Sequence, residues 1–108
     1  MTEQTTEPKP HGPAARRIAV VHTDHASRYL QQLCKHFAHK LPVTFDPEQG
    51  VINFAMGECR LTATGSDLHL AIEAPNPADI ERLAHVVASH LVRFAFREEM
   101  QVEWQEAT

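Results

Sequence analysis

A chain of 108 residues with 43% hydrophobic side chains is long enough for one core, too short for two, and too apolar for a disordered protein. Ten Lys and Arg against fourteen Asp and Glu give a net charge of −4, so the clustered basic footprint of nucleic-acid binding is missing. No apolar run reaches the roughly 18 residues that span a bilayer, the polar opening "MTEQTTEPKPHGPAARR" carries no export signal, and Cys34 and Cys59 make no disulfide framework. The expectation is a cytoplasmic protein without a membrane or nucleic-acid partner.

Residues 1–15 combine Pro8, Pro10, Pro13 and Gly12 with Thr, Glu and Gln. Such a segment buries too little apolar surface to offset its ordering entropy, and a disordered tail is expected there, with a single domain over 16–108. His11 falls in that tail. "RIAVVHT" (17–23), β-branched and apolar, predicts a first strand, and Asp24, preceded by Thr23, is the expected cap of the helix that follows. Pro42 marks the end of that helix, since its ring cannot continue the hydrogen-bond ladder.

Next come "PVTFD" (42–46), "VINFA" (51–55), "CRLTAT" (59–64) and "LHLAIE" (68–73), separated by glycine-bearing breaks, and these predict strands. Cys59, Leu61 and Ala63 face one way, as do Leu68, Leu70 and Ile72, whereas Arg60, Thr62 and His69 face the other. That period of two describes a meander with one buried and one more polar face. "NPADIERLAHVVASHLVRFAFREE" (76–99) predicts a second helix: Asn76 is a good N-cap, Pro77 suits the first turn and Asp79 complements the helix dipole. Ile80, Leu83, Ala84, Val87, Leu91 and Phe94 form its core stripe, with Phe94 and Phe96 expected to plug the core together. "QVEWQ" (101–105) predicts a last strand with Val102 and Trp104 on one face. The order β-α-β-β-β-β-α-β predicts an α+β two-layer sandwich, an antiparallel sheet with two helices on one face.

The first helix holds "HASRYLQQLCKHFAHK" (25–40), whose tail reads Cys-x-His-x-x-His and invites a metal-site reading. At about 100° per residue, Leu30, Leu33, Cys34, Phe37 and Leu41 fall on one apolar stripe, and Cys34 points about 160° away from His36. Cys34 therefore cannot join His36 and His39 on one ion, and is expected to be a small buried side chain. His36 and His39, at i and i+3, are neighbours and could share a metal, but zinc needs at least a third protein ligand. His25 lies on the same face about 16 Å along the axis. Arg28 and Lys35 stand on this polar side and no carboxylate lies within residues 25–40, so the company suits an anion better than a cation. His85 and His90 lie about 140° apart on the second helix and do not converge. His22 is expected to hydrogen-bond locally, and His69 to stand on the polar sheet face.

No G-x-S-x-G elbow, P-loop, H-E-x-x-H or G-x-G-x-x-G is present, and Arg60 beside Cys59 points to the opposite strand face, so thiolate activation is not expected. No cofactor is implied.

Together, "HASRYLQQLCKHFAHK" and "HLVRFAFREEMQVEW" resemble the bacterial family known as domain of unknown function 2218, over roughly residues 16 to 105. The residues that carry the resemblance include His25, Ser27, Tyr29, Leu30, Cys34, His36, His39, Arg93, Phe94, Phe96, Arg97 and Trp104. The resemblance implies a layout similar to TATA-binding-protein-like folds and to the C-terminal domain of phosphohexomutases. It implies no established activity, and an association with siderophore-interacting proteins suggests an accessory role in iron handling. The expectation is a non-catalytic domain, monomer or homodimer, that binds an anionic small molecule or a siderophore-pathway protein through His25, Arg28, Tyr29, Lys35, His36 and His39. The alternatives are a metal-dependent enzyme built on His36 and His39, a thiol enzyme using Cys59, and a homo-oligomeric interaction module docking through the sheet face or edge.

Overall fold

The computed structural model describes residues 15–107, so His11 and the tail expected over 1–15 lie, apart from Ala15, outside the described residues. The elements are β1 (Ala15–His22), α1 (Ala26–Ala38), β2 (Val43–Phe45), β3 (Gln49–Phe54), β4 (Gly57–Thr64), β5 (Asp67–Ala74), α2 (Pro77–Phe94) and β6 (Gln105–Glu106). The strands form one antiparallel sheet in the order β2-β3-β4-β5-β1-β6. This is the predicted α+β two-layer arrangement. β1 docks in the sheet's interior because all eight of its residues pair with β5, from Ala15 opposite Ala74 to His22 opposite Asp67.

Local chemistry accounts for the elements. At α2, Asn76 Oδ1 accepts the Asp79 N–H at 2.9 Å and Pro77 occupies the first turn, so the helix begins where its free donors are satisfied. At the other end of α1, Phe37 O accepts from the N–H groups of Lys40 and Leu41, and Pro42 then diverts the chain into β2. The β4–β5 hairpin turns through Gly65 at φ +51°, a left-handed conformation that glycine takes without cost from a Cβ.

Both helices cover the same sheet face. Leu30, Leu33 and Cys34 of α1 meet Ile52, Cys59, Leu61, Leu68, Leu70 and Ile72 of the strands, and Ile80, Leu83, Val87 and Leu91 of α2 complete the core. Each of these larger side chains, removed from water, contributes about 1.5–3 kcal/mol before entropy is charged against it. Gly50 makes the close fit of α1 possible, because a Cβ there would stand 2.6 Å from Cys34 Sγ. The opposite sheet face is not covered by any described element and carries Ile18 and Val20, exposed, among the ion pairs Arg16–Glu73 and Arg60–Glu58.

Four local expectations are corrected. Asp24 does not cap α1: His25 holds the N-cap position, and Thr23 Oγ1 accepts the His25 N–H at 3.1 Å. α2 ends at Phe94 rather than running to 99, with Ala95 N–H closing on Leu91 O. Phe96 therefore leaves the helical wheel and stands 76% exposed beside the Arg97 guanidinium instead of plugging the core with Phe94. Finally, only Gln105 and Glu106 pair as the last strand; Val102 and Trp104 share a half-buried side as predicted, but residues 101–104 stand off from β1.

Candidate functional site

α1 distributes the six residues of its expected polar strip over two ends. At the N-terminal end His25 is exposed, its ring 6.1 Å from that of Tyr29. Tyr29 itself is buried, because helix α2 and the chain after it close over that side of α1, and its hydroxyl donates to Glu98 Oε2. The Thr23 hydroxyl donates to the same oxygen at 3.2 Å. These donors, the Tyr29 hydroxyl first, hold the Glu98 carboxylate below its ordinary range, while burial and then the Glu98 contact push the Tyr29 phenol up. Tyr29 is thus a buried side chain bonded to the half-buried Glu98, and it is not part of the solvent-facing strip. Arg28 and Lys35 are exposed along the helix.

The C-terminal end of α1 is different. His36 sits over the seam with α2, its ring centroid 5.1 Å from that of His90 and 5.6 Å from that of Phe94. Phe37 closes the cluster, 4.9 Å from His36 and 4.9 Å from His90, and leans on Phe54 of β3. His90 Nδ1 lies 2.7 Å from Val86 O; that nitrogen carries the hydrogen and donates, which leaves Nε2 outside this bond. Partial desolvation of the His36 ring pushes its pKa down, and the positive neighbours His90, His39, Arg93 and Lys40 push it the same way. No carboxylate is among the groups acting on His36.

The seam therefore gathers His36, His39 and Lys40 from α1 and its exit with His90 and Arg93 from α2. Lys40, His90 and Arg93 are the members that sequence reasoning left out of the site, and His90 makes the closest approach to His36. The angular separation of His90 from His85 was legible, but which residue of another helix would face it depends on how α1 and α2 cross. His85 is exposed and takes no part. The metal pairing of His36 with His39 finds no complement: among the described residues, no group of three or more His, Cys, Asp or Glu is placed to hold an ion.

The remaining side chains singled out by sequence fall as follows. Cys34 and Cys59 are free and buried; burial pushes the Cys34 thiol up to about 11 and raises that of Cys59 as well, so neither is a ready thiolate. His22 Nδ1 bonds Asp67 Oδ1 at 2.5 Å across the β1–β5 pair, and His69 Nε2 lies 3.2 Å from Thr64 Oγ1 on the uncovered sheet face.

An antiparallel six-stranded sheet, covered on one face by two helices whose seam is basic and aromatic, defines the class as a small α+β domain. The chain belongs to the bacterial family DUF2218, described as an uncharacterized protein conserved in bacteria, whose model matches residues 18–105. It is similar to the NMR structure of PA4090 from Pseudomonas aeruginosa, at 35% identity and a TM-score of 0.72, over 84% of this chain and 95% of that one. No curated protein matches the sequence. Among the described residues, no helix is long and apolar enough to cross a membrane.

Proposed function

We propose that this protein is a non-catalytic cytoplasmic binding domain for a small anionic ligand, held at the α1–α2 seam by His36, His39, Lys40, His90 and Arg93. The observation that carries this reading is the meeting of His36 with His90 across the seam, ring centroids 5.1 Å apart, with His39, Lys40 and Arg93 near enough to act on His36 and no carboxylate among the groups that do. Cations at helix C-termini also complement the helix dipoles, but each helix end supplies only about half a negative charge. Five basic groups exceed that demand, and the surplus grows as the histidines protonate. Phe37 and Phe94 wall the cluster on its core side, which lowers the local dielectric and strengthens the attraction for a bound anion.

Ferric siderophore complexes are commonly anionic, so the iron-handling role suggested by the family resemblance is one instance of this chemistry. The test is a titration of labelled protein with phosphate, with citrate and with a ferric catecholate siderophore, read from amide and imidazole shifts. Saturable shifts confined to residues 36–40 and 90–94 support the reading, and shifts with the siderophore alone assign the iron-linked form. No saturable shift in either segment overturns it.

A further inference from the structure

β1 is eight residues long, yet its outer neighbour β6 pairs with only two of them, Arg17 with Glu106 and Ile18 with Gln105. Ala107 N–H donates to Arg16 O at 3.0 Å. In an antiparallel ladder alternate residues turn their N–H and C=O groups to the same side, so Ile18, Val20 and His22 turn outward with Arg16. Beyond Ile18 no strand of the described residues meets them. A groove of about 360 Å³ opens there, bounded by Val20, His22, Glu98, Glu99, Met100 and Glu103, and a second space of about 250 Å³ continues it along Ile18 and Val20. The inner side of β1 is fully paired with β5, which presents the outer edge as a preformed template for strand addition.

The charge around the groove selects the occupant. Glu98, Glu99 and Glu103 line it, no Lys or Arg among the described residues does, and His22 is already held by Asp67. Glu98 is fixed as a carboxylate by the Tyr29 and Thr23 hydroxyls. We infer that the outer edge of β1 over Ala19–His22 is a docking site for an extended, Lys- or Arg-bearing segment of a partner protein, which adds backbone hydrogen bonds to Val20 and His22 and sets its cations against the three glutamates. The site lies at the N-terminal end of α1, where Tyr29 meets Glu98, away from the basic seam at that helix's other end.

A rival occupant is built into the chain. Extending the pairing of Ile18 with Gln105 would set Glu103 opposite Val20 and Gln101 opposite His22, closing the groove with the protein's own residues. Backbone amide exchange separates the two, with a blocked six-residue peptide of alternating lysine and valine as probe. In the free protein the Val20 and His22 amides exchange at least tenfold faster than those of Ala19 and Val21, which face β5. The peptide slows them, its N-methylated analogue does not, and Glu99→Gln and Glu103→Gln each weaken binding by about two- to threefold at low salt. Protection of Val20 and His22 without peptide, or a peptide that fails to protect them at millimolar concentration, overturns the inference.

Discussion

His36 of α1 and His90 of α2 face each other with ring centroids 5.1 Å apart, and His90 is held in place by the hydrogen bond that its Nδ1 donates to Val86 O. Two imidazoles so placed cannot both be charged cheaply, and Arg93 and Lys40 add to the repulsion. A bound anion reverses that balance.

Anion binding at the seam is therefore expected to take up a proton. In the free protein the His36 pKa lies below its ordinary 6.5; an anion raises it toward or past that value. Affinity increases as pH falls through the bound-state pKa and levels off below the lowered free-state value. Calorimetry of sulfate binding in buffers of different ionisation enthalpy, at pH values from about 8 to 5.5 where sulfate stays a dianion, measures the uptake. His36→Asn should reduce the pH dependence and leave a weaker affinity from the remaining basic groups of the seam.

The same shift works on stability without ligand. A histidine whose folded pKa is depressed leaves the unfolded chain binding more protons below the ordinary value. Stability is then full above about 6.5 and declines as pH falls from there toward the lowered folded value. Urea denaturation between pH 7.5 and 5.5 should show this decline in the parent protein and a flatter profile in His36→Asn. His36 is exposed, so the effect is a fraction of a kcal/mol, on the order of the screened surface interactions measured elsewhere.

Removing the Tyr29 hydroxyl tests the Tyr29–Glu98 pair at the opposite end of α1. Tyr29→Phe leaves the Glu98 carboxylate with the Thr23 hydroxyl as its remaining side-chain donor, and should cost about 1–3 kcal/mol in chemical denaturation at neutral pH. Glu98 has a lowered folded pKa, so its stabilisation is present above the ordinary 4.5 and is lost as pH falls through the folded value. The loss caused by Tyr29→Phe should therefore shrink in that acid range, and a double variant with Glu98→Gln should lose less than the sum of the single changes.

Gly50 and Cys34 are coupled by space. Gly50→Ala sets a Cβ 2.6 Å from Cys34 Sγ and 3.2 Å from Phe45 Cβ, which should cost about 1–3 kcal/mol by overpacking. Cys34→Ala removes the nearer clash, so the double variant should recover part of that loss in thermal or urea unfolding. Equal losses with and without Cys34 would place the strain at Phe45 instead.

Thiol reactivity follows from the same packing. With both cysteines buried and the Cys34 pKa at about 11, a thiol-specific reagent at pH 7.5 should label neither in the native state and both once urea unfolds the chain. Fast native labelling of Cys59 would revive a nucleophilic role for it.

Much of this protein was legible before its tertiary structure. Alternation placed Cys59, Leu61, Leu68, Leu70 and Ile72 on one sheet face, and the helical wheel turned Cys34 into the core and left His36 outside. These are short-range consequences of periods fixed by backbone geometry, 2 for strands and about 3.6 for helices, acting on the side chains that avoid water. Even the Asn76 cap of α2 is written in the four residues from Asn76 to Asp79.

What the linear order left open is everything decided by one element lying against another. His90 joins His36 because α1 and α2 pack side by side on the sheet. Tyr29 is buried because Glu98, 69 residues away, returns to receive its hydroxyl. Residues 101–104 carry the alternation of a strand, yet pairing stops at Gln105, since a strand also needs an edge at hydrogen-bonding distance and the exit from α2 directs the chain off β1. Sequence periodicity determines which face of each element avoids water; only the packed sheet and helices determine which faces meet, and with them the basic seam and the open edge of β1.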